Sequence, residues 1–229
     1  MRQFEAELEE LKSALTEMGA LVASSVHRAI RALTEKSEDL AHQVLRDESR
    51  VDQMEIQIDD NATRLIALHS PVARDMRLIV VAIKINTELE RMGDLAVNVT
   101  ERSLSLMHQP GLEASVYREM VEMAGMVQQM VLGALDSFVK YDAEGARNII
   151  VADDAVDRMR SKISDALVLI MQKDPASINR ALSLMISARS LERVADHATN
   201  IAEEVIFLVR GVDVRHRIGL DVNPAAVAE

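Results

Sequence analysis

The chain has 229 residues, of which 48% are apolar and 28% charged, so it is long enough for one large domain or two small ones. These ordinary values exclude collagen-like and disordered chains. The formal net charge of -11 disfavours nucleic acid and anionic lipid as partners, and the absence of cysteine excludes disulfides and thiolate metal sites.

The composition favours helices along the whole chain. Aromatic residues make up only 2% of it, and there are four prolines and eight glycines. The abundant Ala, Leu, Met, Glu and Arg lose little freedom in a helix, whereas sheets draw on β-branched and aromatic residues. The N-terminal ten residues are too charged for a signal peptide, and the longest apolar runs are too short to cross a bilayer. We expect an all-α, soluble, cytoplasmic protein.

Capping residues and prolines divide the chain into six long segments. The predicted helices cover residues 3–36, 38–69, 71–108, 112–140, 142–172 and 175–210. Ser37 and Asp142 suit the N-caps of the second and fifth helices, and Gly211 suits the last C-cap. Two further boundaries place a capping residue before a proline that fits a first helical turn, at Ser70-Pro71 and Asp174-Pro175.

The second half of the chain repeats the first. The segment Leu89–Glu101, LERMGDLAVNVTE, returns at an offset of 102 residues as Leu191–Glu203, LERVADHATNIAE, and upstream matches continue at an offset of 105 residues. Such self-similarity predicts two tandem three-helix bundles related by a pseudo-twofold internal repeat. The predicted units are residues 1–109 and 110–211, followed by a frayed tail over residues 212–229.

An acid followed four residues later by aspartate recurs at four matched places. These pairs are Glu48 and Asp52, Asp153 and Asp157, Glu90 and Asp94, and Glu192 and Asp196. Residues four apart share a helix face, and like charges there destabilise an isolated helix, so something should compensate. On the third helix of each half, further oxygen ligands follow at Asn98 and Glu101, and at Asn200 and Glu203. This face lies away from the apolar stripe, so the acids should flank the core and stay reachable from solvent.

Two interpretations of these acids compete. A solvated face is the ordinary one, with nearby arginines offsetting the repulsion. The available arginines are Arg50, Arg91, Arg158 and Arg193. Recurrence on two helices of both halves favours cation binding instead, and clustered oxygen ligands suit Mg, Mn, Ca or Fe while arguing against copper or a structural zinc. His197 could join one site, although its matched residue in the first half is Leu95.

The doubled LERMGDLAVN and LERVADHATNIAEEV segments, the acid-x-x-x-Asp pairs and the six-helix plan resemble the PhoU family, accessory proteins of bacterial phosphate-specific transport systems. The resemblance covers Phe4 to Gly211. It implies a cytoplasmic regulator that is not an enzyme. Such a protein joins the ATPase subunit of the phosphate ABC transporter to a sensor histidine kinase and holds the phosphate-starvation response off when phosphate is plentiful. It would meet the membrane only peripherally, through these partners.

The resemblance also implies a homodimer and bound metal ions, which in some members form multinuclear iron or zinc clusters. The implied ligands are Glu48, Asp52, Glu90, Asp94, Asp153, Asp157, Glu192 and Asp196, to which we add Asn98, Glu101, Asn200 and Glu203. Any of Mg, Mn, Fe, Zn or Ca suits this set. We expect two metal-loaded patches near the two ends of a rigid rod, where they neutralise part of the net charge and let the protein dock.

Two other functions remain open. A ferritin-like di-iron redox or storage protein also builds carboxylate sites on helices, but its Glu-x-x-His signature in a bundle core is absent, and these acids lie off the apolar seam. In a purely structural helical adaptor, the acids would serve only solubility. Ferroxidase activity would favour the first alternative, and the absence of specific metal at native ionic strength would favour the second.

Overall fold

The computed structural model of this chain describes residues 2–212. These residues form six long helices and no strand, with one short 3-10 turn, Pro175–Ser177, before the last helix. The helices are α1 (Arg2–Glu35), α2 (Glu38–His69), α3 (Ala73–Leu106), α4 (Ala114–Lys140), α5 (Ala143–Lys173) and α6 (Ile178–Arg210). The all-α prediction is confirmed. The predicted frayed tail, apart from Val212, lies outside the described residues.

Three of the predicted caps are present. The Ser37 hydroxyl accepts from the Leu40 amide at 3.3 Å, and the Asp142 carboxylate accepts from the two amides that open α5. Gly211 ends α6 with a φ of 70°, in the left-handed region that glycine enters without steric cost. The two side chains and the Gly211 amide satisfy backbone groups at the helix ends, so these residues fix where the helices begin and end.

The prediction for Ser70-Pro71 was wrong, because Ser70 closes α2 instead of opening α3. Its φ is 45° and its amide donates to a carbonyl in the last turn of α2, so it cannot cap the next helix. Pro71 therefore lies in the connection, and α3 begins at Ala73. Asp174 behaves as predicted: its carboxylate caps the turn that Pro175 opens, although that turn is 3-10.

The halves α1–α3 and α4–α6 pack together through one continuous apolar core. Four helices, α1, α3, α4 and α6, contact across the halves, whereas α2 packs on α1 and α3, and α5 packs on α4 and α6. Gly19 of α1 makes room for Leu135 of α4, since a Cβ there would collide with the Leu135 side chain. The two predicted three-helix bundles are thus present and share their core. Within residues 2–212, no helix is both long and apolar enough to cross a membrane.

Candidate metal centre

A first acidic cluster lies where α2 packs against α3. Its members are Glu48, Asp52, Glu55 and Asp59 from α2, with Glu90, Asp94 and Glu101 from α3. The two helices approach closely at Gly93, where a Cβ would lie 3.4 Å from Val51 Cγ1. The small residue therefore lets one row of carboxylates on each helix face the other. Glu48, Glu55 and Glu90 are half-buried, and the other members are exposed.

The members of this first cluster repel one another. Burial, followed by the charges of Asp52, Asp94 and Glu101, raises the pKa of Glu48. Burial and neighbouring carboxylates likewise raise the pKa of Glu55 and of Glu90. Carboxylates brought together in this way favour a bound proton or cation, because either one relieves the repulsion.

A buried asparagine adjoins the first cluster. Asn86 has no exposed surface, and its Nδ2 donates at 2.9 Å both to the Glu55 backbone carbonyl and to Asp59 Oδ1. Its own Oδ1 is buried and has no hydrogen-bond partner among the described residues. A buried oxygen without a partner is costly, so Asn86 combines two favourable hydrogen bonds with one unsatisfied acceptor.

A second acidic cluster lies at the matched place between α5 and α6. It consists of Asp153 and Asp157 from α5 with Glu192 and Asp196 from α6. Burial, followed by Asp157, Asp196, Asp154 and Glu192, raises the pKa of Asp153 to about 6. Burial and Asp157 also raise the pKa of Asp196, against the opposing charge of Arg193. The structure thus brings together the four paired acids of the second half, while the fifth predicted acid, Glu203, is not among them.

The arginines offered by the solvated-face interpretation form no ion pair with these clusters among the described residues, although the charge of Arg91 partly opposes the rise in the pKa of Glu90 and that of Arg193 does so for Asp196. Arg50 and Arg91 pair with Asp47 and Glu88, which belong to neither cluster. Among the described residues 2–212, no carboxylate of the first cluster forms an ion pair with arginine or lysine. In the second cluster, Arg160 pairs with Glu192, with Nε 3.4 Å from Oε1.

A polar bridge connects the regions of the two clusters. His197 Nδ1 donates to Glu88 Oε2 at 2.6 Å, and Asn200 Nδ2 donates to the same oxygen at 3.0 Å. Glu88 stands two residues before Glu90, and His197 follows Asp196 directly. The expectation of patches near opposite ends of a rod was therefore wrong: α3 and α6 run antiparallel and meet near their middles, so the clusters flank this contact.

The remaining predicted ligands are less closely involved. Asn98 is exposed one turn beyond Asp94, and Glu203 is half-buried two turns beyond Asp196. The amide nitrogen of Asn200 is directed at Glu88, and His197 serves the same bridge. Within residues 2–212, no three His, Asp or Glu side chains are arranged to hold a metal ion. Metal binding at either cluster therefore remains a prediction that requires side-chain rotation.

The donor set fits a hard cation if those rotations occur. Both clusters offer oxygen ligands from two adjacent helices, which is the chemistry that Mg, Mn, Ca and oxygen-ligated Fe accept. In the first cluster these ligands also repel one another, which a bound cation would relieve. Each cluster is reachable from solvent, as predicted, because none of its carboxylates is fully buried.

Four residues beside or within the first cluster were missed from the sequence. Glu55 and Asp59 repeat the acid-x-x-x-Asp spacing, but the matched second-half residues are Arg160 and Ser164, so a search for doubled pairs passes over them. Asn86 lies one turn before Glu90, and that spacing on a helix face could have revealed it. Glu88 gave no local signal, because its partner His197 is 109 residues away.

The chain is similar to known proteins along most of its length. Two segments, residues 15–103 and 120–205, match the family model described as the PhoU domain. The chain belongs to the PhoU family. The phosphate-specific transport system accessory protein PhoU homolog of Pseudomonas aeruginosa is 43% identical over 219 residues, which cover 96% of this chain and 90% of the relative. The PhoU accessory protein of Serratia marcescens is 36% identical, over 95% of this chain and 88% of the relative.

Solved PhoU structures share the fold. The crystal structure of PhoU from Pseudomonas aeruginosa has a TM-score of 0.86 at 41% identity, covering 91% of this chain and all 100% of that one. The phosphate transport system regulatory protein PhoU from Streptococcus pneumoniae has a TM-score of 0.83 at 26% identity, covering 92% of this chain and 99% of that one. Each acidic cluster lies inside one of the two matched PhoU domains.

Proposed function

We propose that this protein regulates phosphate uptake as an accessory protein of a phosphate-specific transport system. The observation that carries the proposal is the doubled PhoU domain over residues 15–103 and 120–205, supported by relatives whose names state this accessory role over nearly the whole chain. These relatives are described as accessory or regulatory proteins, which supports a binding protein without catalytic residues.

In detail, the protein acts in the cytoplasm as a negative regulator of the phosphate-starvation response. It binds the ATPase subunit of the phosphate ABC transporter and a sensor histidine kinase, and it reaches the membrane only through them. A homodimer is the proposed assembly. All six described helices contribute to one apolar core, so the chain offers a stiff frame on which two partners can be held at a fixed separation.

Binding and release of metal ions at the two clusters would switch the surface charge of the protein. The acids of the first cluster have no ion-pairing cation among the described residues, so a bound ion would remove repulsion on the α2–α3 surface. Reduced negative charge on this face would then favour docking to partners that carry acidic surfaces. Mg, Mn, Fe, Zn and Ca are the candidate ions, and oxygen ligation favours the harder ones.

The regulatory role is tested in a cell that lacks its own PhoU and carries a phosphate-starvation reporter. Expression of this chain should silence the reporter in phosphate-rich medium and leave it active in phosphate-poor medium. Affinity capture with the tagged ATPase subunit and with the tagged kinase should each retain the chain. A reporter that stays active in rich medium, despite normal amounts of folded protein, would refute the regulatory role.

The metal role needs a separate measurement. Elemental analysis of protein purified without an affinity-tag metal column should find ions in stoichiometric amounts. A variant with Glu90→Gln, Asp94→Asn, Glu192→Gln and Asp196→Asn should lose them while its circular dichroism keeps the helical signal. Unchanged metal content in this variant would place the ions elsewhere.

A structural helical adaptor without metal is the second candidate. The observation in its favour is that, among residues 2–212, no three acidic or histidine side chains are positioned around one point. In that case the reporter is still silenced, and the variant with four neutral residues silences it as well as the parent chain does. A ferritin-like function has less support, because the acids lie between neighbouring helices at the surface and not inside a bundle core.

A further inference from the structure

The outer surface between α3 and α6 forms a groove that no other described helix covers. Helices α1 and α4 pack on its inner side, while α2 and α5 flank it and carry the acidic clusters with them. The offset of 102 residues exchanges α3 and α6, so a contact across the groove at one end has matched positions at the other end. The two ends of the groove can therefore be compared position by position.

One end of the groove is closed by the side chains of the protein itself. Lys84 Nζ pairs with Glu204 at 2.9 Å, and Glu88 Oε2 accepts from His197 and Asn200. Glu204 is only 6% exposed, so its carboxylate needs the cation that the opposite helix supplies. We call this end the closed end.

The opposite end, which we call the open end, lacks these partners. The positions matched to Lys84, Glu204, Glu88 and His197 are occupied by Ile186, Arg102, Ser190 and Leu95. None of these four residues is an acid, and the Ser190 hydroxyl donates to a carbonyl of its own helix at 3.2 Å. The internal repeat has thus kept the groove at this end but has not filled it with a network of its own.

Arg102 is the charged group that this exchange leaves unpaired. It lies 18 residues, or five turns, after Lys84, so both residues share the face of α3 that borders the groove. Its side chain is half-buried, and its Nε is buried with no hydrogen-bond partner among residues 2–212. No carboxylate within that range forms an ion pair with it. A guanidinium stays charged at physiological pH, so a buried donor of this kind favours an incoming acceptor.

A second cation and two apolar side chains lie beside Arg102 on the α6 side of the open end. Leu182 and Ile186 are 43% and 41% exposed, and because they are four residues apart they share one helix face. Arg189 is exposed one turn beyond Ile186, and within the described part of the chain it has no ion pair. Apolar anchors one turn apart in a groove between two helices suit a third helix. The flanking acids would repel the continuous phosphates of a nucleic acid.

We propose that the open end binds an amphipathic helix of a partner protein, which places a carboxylate against Arg102 and Arg189 and apolar side chains against Leu182 and Ile186. The closed end is the internal template, because Glu204 supplies there the carboxylate that the open end lacks. This inference rests on the proposed function as a protein that binds partners, and it assigns one of the binding surfaces.

The first experiment measures the binding of a labelled helical peptide to the full chain by fluorescence anisotropy. The peptide has about sixteen residues, which span about 24 Å as a helix, and it carries glutamates beside leucines. It should bind saturably, and a peptide with glutamine in place of each glutamate should bind about tenfold more weakly. Equal binding of the two peptides, or binding of neither, would overturn the proposal.

Arg189→Glu is the decisive variant, because an exposed position tolerates the change. It should weaken binding of the acidic peptide about tenfold and should prefer a peptide with lysine in place of each glutamate, a reversal that misfolding does not produce. Arg118→Glu, exposed on α4, changes the net charge equally and should have an effect below about twofold. Equal effects of the two variants would show that only net charge matters, and would overturn the assignment.

The apolar part of the groove has its own matched pair of variants. Leu182→Ser combined with Ile186→Ser should weaken peptide binding about tenfold, because both anchors are lost. Val168→Ser on α5 is the control, since Val168 is also 41% exposed but lies outside the groove. An unchanged affinity in the double variant would overturn the apolar contacts that the proposal requires.

Two further measurements identify the occupant and separate this inference from the proposed function. A change in oligomeric state for Arg189→Glu in analytical ultracentrifugation would overturn the choice of a different protein, since the groove would then bind a second copy. In affinity capture, the tagged ATPase subunit and the tagged kinase should both retain the parent chain, and at least one should lose the Arg189→Glu variant. Retention of the variant by both would overturn only this inference, whereas a parent chain that neither retains would overturn the proposed function.

Discussion

The first and second acidic clusters occupy matched places in the two halves, yet they handle their negative charge differently. In the first, seven carboxylates face one another and an asparagine oxygen has no partner. In the second, fewer carboxylates share the space with Arg160, which pairs with Glu192. The repeat has kept the helices and their contacts while changing the electrostatics at single positions. Backbone symmetry therefore does not imply that the two halves bind the same ligand equally.

The bridge between the halves belongs to neither cluster. Glu88 of α3 accepts from His197 and Asn200 of α6, and Lys84 Nζ pairs with Glu204 at 2.9 Å nearby. Burial alone would raise the pKa of Glu88, but these two hydrogen bonds hold it below its usual range. The clusters can thus differ in charge while the contact between them stays fixed by a polar network.

The largest expected effect comes from breaking this bridge. Glu88→Ala should lower the free energy of unfolding of the metal-free protein by about 2–3 kcal/mol at pH 7, because a buried acceptor of two hydrogen bonds is lost. Urea denaturation followed by circular dichroism measures the change. Since the folded pKa of Glu88 is lowered, its contribution is present at neutral pH and is lost in acid, so the gap between variant and parent should narrow there.

An exposed glutamate provides the control for the bridge. Glu122→Ala on α4 removes the same charge at the surface and should change the unfolding free energy by less than about 0.5 kcal/mol. A similarly small loss for Glu88→Ala would mean that the hydrogen bonds from His197 and Asn200 contribute little to stability.

The second-largest effect is expected at Asn86, the buried asparagine that adjoins only the first cluster. Asn86→Ala gives the first half the residue that the second half has at Ala188, and it should cost about 1–2 kcal/mol through two lost buried hydrogen bonds. Urea denaturation again measures it. Thr87→Ala is the control, since that hydroxyl bonds only to its own helix, and it should change stability by under about 0.5 kcal/mol. A gain in stability for Asn86→Ala would mean that the partnerless oxygen outweighs both bonds.

The third effect concerns the second cluster. The folded pKa of Asp153 is about 6, above the ordinary value of 3.8, so the folded state binds the proton first. Its ionised form therefore destabilises the metal-free protein at pH 7, and this cost falls as the pH decreases from 7 towards 4. Asp153→Asn should stabilise by about 1 kcal/mol at pH 7, a value reduced for solvent screening, and by almost nothing near pH 4.

Thermal unfolding of both proteins at several pH values checks this prediction. Asp165→Asn, an exposed aspartate on the same helix, should show no comparable gain at pH 7. If the Asp153→Asn variant is less stable than the parent at pH 7, the ionised carboxylate stabilises the folded state despite its repelling neighbours, and the prediction is wrong.

The sequence was sufficient for most of the fold because helix ends depend on local chemistry. Ser37, Asp142 and Gly211 cap as predicted, since each satisfies backbone groups only a few residues away. Ser70 was assigned to the wrong helix, because serine is typical of an N-cap, whereas the left-handed C-cap position that it occupies favours glycine, and a following proline fits both arrangements.

The clusters were only partly predictable. Doubled acid pairs were found because both halves carry them, and the same reliance on doubling concealed Glu55, whose match is Arg160. The bridge between Glu88 and His197 depends on how α3 crosses α6, which no local pattern specifies. Spacing along a helix predicts which residues share a face, but it does not predict which face of another helix they meet.

The smallest effect tests whether the α2–α3 contact matches its counterpart between α5 and α6. Gly93 corresponds to Ala195, and a Cβ at residue 93 would lie 3.4 Å from Val51 Cγ1, so alanine fits without displacing that side chain. Gly93→Ala should stabilise the protein by about 0.5–1 kcal/mol, because alanine loses less backbone entropy in a helix. Gly93→Val is the control and should destabilise, since its methyl groups would meet Val51. If Gly93→Ala also destabilises the protein, α2 and α3 must approach each other more closely than α5 and α6 do. The two halves would then differ in helix spacing as well as in charge.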